Sequence, residues 1–525
     1  MKLFSSNMKK NFLTKVVLAV FALSNVSCKK DLLNQPPSGV QTDVSYFKTA
    51  DDLNKTLTAA YNYLQQPTFP SYETAVWAIG DVGSDDALKG SGGSAFPIPG
   101  ISEFSLNQQT TTNNLIKTYW SNMYNLIAAC NLVLDKQTVV TGDATTIKNI
   151  VKQAEFLRAF GYYELVKYFG DVPMPLTYLD PAKVNLARTP KAQVWAQIEK
   201  DLADASALPT KTQWGAANDG RATSGAANAL LGKVYMFEKK YPEAEAALKK
   251  VIDENTYSLL ADYGGIFRKT GDNNNAESIF DIKHKANSGA FPGEGSFNYA
   301  FQQPTDAPIG GFGQNEPSQD LQTEFEKGDP RAIYTILFKG DVVPNGTSTY
   351  TVNNTGTTGG RANRKFYIAP GEKVAVAGAI DEAKSNHIVR YAEVLLLYAE
   401  VLNENGKPAE ALTWLNKVRQ RARTTPANDP QRVSTIYDLS YTGTLLPDVT
   451  TTDKTALRNA IWHEQRVELA MEGHRREYLT RQGRLAQRMA AAKGIAVFED
   501  KFTLLPIPQS DIDLSNGQLT QNSGY

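Results

Sequence analysis

Three glutamates four residues apart, Glu464, Glu468 and Glu472, fall in the stretch HEQRVELAMEGHRREYLTRQGR. Paired carboxylates are the equipment of glycoside hydrolysis, one giving a proton while the other attacks or activates water. Such a pair must flank a bond across a cleft, whereas this spacing lines all three along one face of one helix. Arg466, Arg475 and Arg476 nearby predict structural ion pairs instead. Asp85 and Asp86 in GSDDALKG lie on a loop and could face a ligand, but side-by-side residues diverge and make a poor acid/base pair. The four histidines (His284, His387, His463 and His474) never recur at i, i+4, and no HExxH or CxxC is present, so a metal site is poorly supported. His463 and His474 share one helical stretch, a weak basis for a common ion. GDNNNAES is oxygen-rich but lacks the glycine and closing glutamate of an EF-hand; it reads as a surface turn, with incidental calcium left open. No G-x-S-x-G elbow exists, and the glycines of KGSGGSAF do not lead into a phosphate-binding helix.

Carbohydrate binding asks for something else. Flat C–H faces of sugars stack on aromatic rings, and polar side chains bond to hydroxyls, with no tuned pKa required. The chain supplies aromatics on polar loops: Phe96 and Phe104 in one, then Phe291, Phe297, Tyr299, Phe301 and Phe312 in another. About half of such loop aromatics are expected to plug down onto the protein body rather than face a ligand.

These residues belong to a chain of 525 with 55 Lys+Arg against 55 Asp+Glu. A formal net charge of zero argues against nucleic acid, which needs a basic footprint. Hydrophobic residues at 42% and charged residues at 21% describe a globular protein with a large core. The cysteines are Cys28 and Cys130; the latter, in NLIAACNLVL, reads as a small buried hydrophobe.

The elements that must position the loops read mostly as paired helices, near 48–65, 112–135, 145–169, 190–206, 224–238, 241–254, 386–404, 408–423 and 454–490. Two pairs repeat. Gly232, Ala244, Leu248 and Val251 have the same spacings as Ala399, Ala411, Leu415 and Val418, small residues first and apolar seam residues after. The pattern resembles the tetratricopeptide helix-turn-helix. From about 256 to 385 the periodicity gives way to Gly, Asn, Pro and Thr, with short strands expected at SIFDIK and AIYTILF. Loops this long are usually functional. In AEFLRAFGYYELVKYFGDVPMPL, Phe156, Phe160 and Tyr163 fall on one side of a helix and Tyr162, Leu165 and Phe169 on the other, which predicts burial all round and a stop at Gly170 and Pro173.

Residues 1–27 read as an export signal: a basic start (Lys2, Lys9, Lys10, Lys15), then the apolar VVLAVFALSNV, too short for the roughly 20 residues of a membrane span. Ser27-Cys28 resembles a lipoprotein lipobox, loosely matched at Asn25 and Val26, and an ordinary cleaved signal is the alternative. Residues 28–45 form a polar tether, and 46–525 the body: a scaffold at about 46–255 and 386–490, an insertion at about 256–385 and a tail at 491–525.

Several segments together resemble the SusD/RagB outer-membrane nutrient-binding lipoproteins. SCKKDLLNQPP, YWSNMYNLIAACNLVLD, the aromatic stretch ending GDVP, RYAEVLLLYAEVLNENGKPAEALTWLNKVRQRA, EQRVELAMEGHRREYLTRQGR and LLPIPQSDIDLSNGQLTQNSGY occur in the family's order, with small departures at Ser523 and Arg481-Gln482. The resemblance implies a mainly α fold, a SusD-like α-α superhelix of tetratricopeptide-like helix pairs with an inserted irregular subdomain containing a few short strands. It implies a non-catalytic lipoprotein, lipidated at Cys28, on the outer face of the outer membrane, that hands an oligosaccharide to a SusC-like TonB-dependent transporter. A peptide-binding homologue is the alternative within the fold, and a surface glycoside hydrolase the alternative from another class. No cofactor is implied. Family ligand loops correspond to about 77–106 and 283–316 here, which makes Asp85, Asp86, Phe96, Phe291, Phe297, Tyr299 and Phe312 the expected contacts by region and chemistry.

Overall fold

The computed structural model describes residues 46–66, 70–90, 111–179, 185–268, 275–285, 295–307, 310–345, 348–353, 359–368, 383–426, 441–493 and 500–525. Cys28, the signal and tether, and Phe96, Phe104 and Phe291 lie outside these residues.

Helices carry the body: α1 (Ala50–Gln65), α2 (Tyr72–Trp77), α3 (Asn114–Lys136), α4 (Ala144–Phe169), α5 (Lys191–Ala205), α6 (Ser224–Phe237), α7 (Tyr241–Asp253), α8 (Asn298–Gln302), α9 (Tyr391–Glu404), α10 (Pro408–Thr424), α11 (Lys454–Leu469) and α12 (Arg475–Arg481). Local chemistry sets their ends. The Asp143 carboxylate accepts from the Thr146 N–H at 2.7 Å to start α4, and Gly170, at φ +73°, closes it by donating to the Val166 carbonyl. Proline opens α7 and α10 in the first turn, where its missing N–H costs nothing.

The scaffold helices stack in succession: α1 on α3, α3 on α4, α4 on α5, α5 on α6, α6 on α7, α7 on α9, and α9 on α10 and α11. The two repeats far apart in sequence are therefore neighbours in space, and the described residues between Asp253 and Tyr391 form an excursion from the array. Asn405 seals that junction by donating to the Tyr241 carbonyl at 3.2 Å and the Glu245 carboxylate at 2.8 Å. Small residues make the approach close. A Cβ at Gly232 would lie 2.5 Å from Leu248 Cδ2, and one at Gly161 would lie 2.9 Å from Ile127 Cγ1. Leu248, Val251, Leu415 and Val418 are buried in the seams, as their spacing predicts. So is every ring of α4 from Phe156 to Phe169, wedged between α3, α5 and the strand carrying Phe280, whose ring meets Phe156 at 5.0 Å.

Short antiparallel strand pairs, two strands each among the described residues, organise the looped-out chain and its junctions. The strands are β1 (Ala87–Gly90), β2 (Ser278–Ile282), β3 (Gln314–Pro317), β4 (Ile336–Phe338), β5 (Val342–Asn345), β6 (Ser348–Thr351), β7 (Arg361–Asn363) and β8 (Asn386–Arg390), paired β1–β3, β2–β8, β4–β7 and β5–β6. The β2–β8 pair, with Ser278 opposite Arg390, draws the ends of the excursion together.

Three expectations need correction. Residues 386–390 form β8, and the helix begins only at Tyr391, because this stretch is recruited as the partner of β2. AIYTILF splits into a helical turn over Arg331–Thr335 and a strand over Ile336–Phe338. The stretch 454–490 is broken: α11 ends at Leu469, Met471 and Gly473 take positive φ (+64° and +84°), and α12 starts at Arg475. Glu472 thus leaves the helix that holds Glu464 and Glu468. Gly473 is required there, since φ is positive and a Cβ would lie 2.6 Å from Val76 Cγ1.

Candidate functional site

Glu464, Glu468 and Glu472 sit in a buried belt of guanidiniums. Glu464 accepts from Arg331 at 2.6 Å and from Arg419 at 2.7 Å; Glu468 accepts from Arg390 at 2.7 Å and Arg331 at 3.0 Å; Glu472 accepts from Lys365 at 2.6 Å and Arg390 at 2.7 Å. Ion pairing is as expected, but the partners come from distant segments rather than from Arg466, Arg475 and Arg476. Burial opposes ionisation of Glu468, yet Arg421, Arg390 and Arg331 outweigh it and hold the carboxyl well below the usual range. Burial likewise opposes ionisation of Glu472, and Arg390 and Lys365 bring it to about 2. Carboxyls so held have no proton to donate at neutral pH.

Asp85 and Asp86 face inward. Arg475 and Arg488 grip Asp85 at 2.7 and 2.6 Å, and Arg466 grips Asp86 at 2.8 Å; neither aspartate is more than 1% exposed. Burial raises the Asp85 carboxyl, but Arg475 and Arg466 beside it more than reverse this and hold it well below the usual range. The expectation that this pair meets a ligand is corrected: the arginines of the C-terminal helices turn the loop acids into a fastening for the loop.

Among the described residues, Glu326, His463 and Glu464 bring ligand-type atoms within 4.8 Å of one another. Arg419 donates to both carboxylates of that group, at 2.8 and 2.7 Å, so a guanidinium already occupies the cation's place. Burial lowers the His463 imidazole, but the carboxylates of Glu324 (2.8 Å) and Glu326 (3.4 Å) prevail and raise it to about 9, making it a second fixed cation. His474 lies elsewhere, 3.9 Å from Glu393.

The loop aromatics build a different kind of site. The segments about 77–106 and 283–316 are joined by the β1–β3 ladder, with Leu88 opposite Glu316 and Gly90 opposite Gln314. Gly90 lets the backbones touch: φ is +82°, and a Cβ would lie 2.2 Å from the Gly313 carbonyl oxygen. Just before β3 the chain folds back on α8, the Phe312 N–H donating to the Ala300 carbonyl at 2.9 Å and the Gly313 N–H to that of Gln303 at 2.7 Å. Three rings then meet. Phe312 stacks on Phe301 with centroids 5.1 Å apart and planes at 28°, and Phe297 abuts Phe301 edge-on at 4.7 Å. Phe301 is buried, Phe297 half-buried, and Phe312 is 40% exposed, one of a few exposed large apolar side chains among the described residues. A buried ring backing an exposed one makes a rigid aromatic face, suited to the C–H face of a sugar.

Tyr299 differs from the expectation. It is 5% exposed, its hydroxyl donates to the Ser385 carbonyl at 2.9 Å, and its ring lies 4.9 Å from Phe366, so it belongs to the interior. On that side a cavity of about 60 Å³ lies between scaffold and insertion, lined by Trp77, Phe160, Tyr299, Lys365 and His474 among others. Burial pushes the Lys365 ammonium down to about 8, against the pull of Glu472. Lys365 carried no sequence signal: a lone lysine in a polar loop reads as surface.

Comparisons with known proteins bear on this geometry. The sequence profile described as the SusD family matches residues 265–525, and one described as "Starch-binding associating with outer membrane" matches residues 89–236. SusD-like protein P2 of Formosa agariphila is 25% identical over 545 residues, covering 97% of this chain and 99% of its own length. A SusD-like protein of Bacteroides ovatus is 23% identical, covering 78% of this chain and 76% of its own. Among solved structures, a laminarin-binding SusD-like protein superposes with a TM-score of 0.73 at 27% identity, over 91% of this chain and all of its own. Surface glycan-binding protein A of Bacteroides thetaiotaomicron, solved with laminarihexaose, superposes with a TM-score of 0.73 at 23% identity, over 90% and 100% of the two chains. With both profiles and these relatives in agreement with the helical array and its looped-out, strand-poor excursion, the chain belongs to the SusD/RagB family.

Proposed function

We propose that this protein is a non-catalytic glycan-binding protein of the outer membrane, and that the exposed face of Phe312, backed by Phe301 and flanked by Phe297, is its sugar-stacking surface. The observation that carries the reading is this aromatic face, solvent-reached and rigidly backed, at the point where the two loop segments join. The family supports it, as does a 27% identical relative named for laminarin binding. Phe96 and Phe291 fall in the same two segments and complete the proposal on sequence grounds. Lipidation of Cys28 and a SusC-like TonB-dependent transporter as partner belong to it as well.

Calorimetric titration with laminarin oligosaccharides, starch and xylan fragments tests the reading. Saturable binding without release of reducing ends is expected for at least one of them. Phe312→Ala should weaken it at least about tenfold, the loss of one stacking contact in a desolvated position, with little change in Tm. An affinity equal to the parent's sinks the assignment of the surface. Cys28→Ala should shift the protein from the membrane to the soluble fraction.

A further inference from the structure

The aromatic face rests on α8, five residues long and too short to hold its own orientation. Beneath it runs a line of buried amides. Asn386 donates to the Glu73 carboxylate. Asn298 donates to Asn386 Oδ1 at 3.3 Å, and Gln302 to Asn298 Oδ1 at 3.2 Å. Asn315 Nδ2 donates both to Gln302 Oε1 at 2.7 Å and to Asp81 Oδ2 at 3.1 Å, while Asn363 adds a second donor to Gln302 at 2.9 Å. The line begins and ends on one scaffold segment, since Glu73 lies in α2 and Asp81 in the π-helical turn Ala78–Val82 that continues it. None of these side chains is more than 8% exposed.

The rings alternate with members of this line. Phe297 lies between Ser296, which donates to Glu73 at 3.3 Å, and Asn298; Phe301 adjoins Gln302; and Phe312 precedes Asn315 by three residues. Apolar packing is non-directional and leaves a short helix free to roll, whereas hydrogen bonds at successive residues fix its azimuth. A buried hydrogen-bonded network also specifies one arrangement over near alternatives.

We propose that this line of hydrogen bonds, Glu73–Asn386–Asn298–Gln302–Asn315–Asp81, anchored at both ends on one scaffold segment, positions the aromatic face of Phe297, Phe301 and Phe312 for its ligand. Its members are positioning residues: they act through the rings and touch no ligand themselves. The inference rests on the reading of that face as the sugar surface. It deepens the reading by assigning ligand affinity to residues that lie below the surface and come from four separate segments.

Asn315 offers a clean cut. It sits at φ +53°, where glycine is at ease, so Asn315→Gly removes the amide and leaves the backbone unstrained. Gln302→Met severs the line at its hub with length retained, and serves if the first variant folds poorly. Each is made in a protein carrying 4-fluorophenylalanine at position 312, and the ¹⁹F spectrum is read with the oligosaccharide titration and Tm. The parent should give one narrow line; the variants should give a split or broadened line and an affinity weaker by about fivefold or more, the cost of ordering a face no longer pre-set. A single narrow line in both variants overturns the proposal, as does an unchanged affinity where Phe312→Ala binds weakly. If Phe312→Ala binds like the parent, the sugar-surface reading has failed by itself, and the ¹⁹F lines alone decide whether the amides set the ring.

Discussion

Two groups of aromatic rings in this protein look alike in composition and behave in opposite ways. Phe156, Phe160, Tyr162, Tyr163, Tyr168 and Phe169 crowd one helix, and none is more than 4% exposed. Phe297, Phe301 and Phe312 are spread over a loop segment among Gly, Asn and Gln, and only the middle one is buried. In α4 every ring is buried, with neighbours that include Tyr119 of α3, Trp195 of α5 and Phe280 of β2, so ring area becomes stability. In the loop segment one ring is spent as a base so that its neighbours can be offered outward. Aromatic density therefore marks the core, and the sparse aromatics amid polar residues are the ones that reach solvent.

Mutations can break or sharpen that contrast. Phe160→Ala should cost the most stability, about 3–5 kcal/mol by denaturant titration, because a cavity opens between α4 and its neighbours; glycan affinity of the folded fraction should stay within twofold. A large affinity change there would erase the distinction. Phe301→Ala falls between the groups. It should lose about 2–4 kcal/mol and also weaken binding, since Phe312 would lose the ring on which it stacks. His463→Gln probes the ionic seam that fastens the short helix Gln319–Glu324 to α11 without touching any ring. The folded His463 has its pKa raised to about 9 from an ordinary 6.5, so its stabilisation is full below about pH 6.5 and fades as pH rises through 9. The variant should be less stable than the parent by about 1–2 kcal/mol at pH 6, after discounting for partial exposure, and equal to it by pH 10. Phe312→Ala should move stability least of all and affinity most, the mirror image of Phe160→Ala.

The helices, their pairing and the burial of α4 were legible in the sequence because their causes are local: periodicity, caps, and small residues where helices touch. Gly232 and Ala399 signal close approach by their size alone, and Gly170 and Pro173 signal the end of α4. What could not be read were matters of partnership. Glu464 and Glu468 looked destined for the nearby arginines, yet Arg331, Arg390 and Arg419 reach them from far along the chain. Asp85 and Asp86 had the look of loop acids until arginines from the C-terminal helices closed over them. Residues 386–390 scan as helix, and only the pairing with β2 makes them strand. For the candidate site, residue type and region singled out Phe312, Phe297 and Tyr299 alike, and only Ser385 and Phe366 beside Tyr299 set that ring apart as buried. The amide line beneath the rings was invisible, because Asn and Gln in a loop are ordinarily solvent-facing.

The stacking of α7 directly on α9 has a consequence for how such a molecule can change. The chain leaves the array at Asp253 and rejoins it at Tyr391, and α7 and α9 also hold one another directly, as where Asn405 donates to Glu245. Closure entropy grows only with the logarithm of length, so doubling the excursion would cost the array about 0.6 kcal/mol. A lineage can lengthen, shorten or rewrite these loops while the frame that carries them stays as it is.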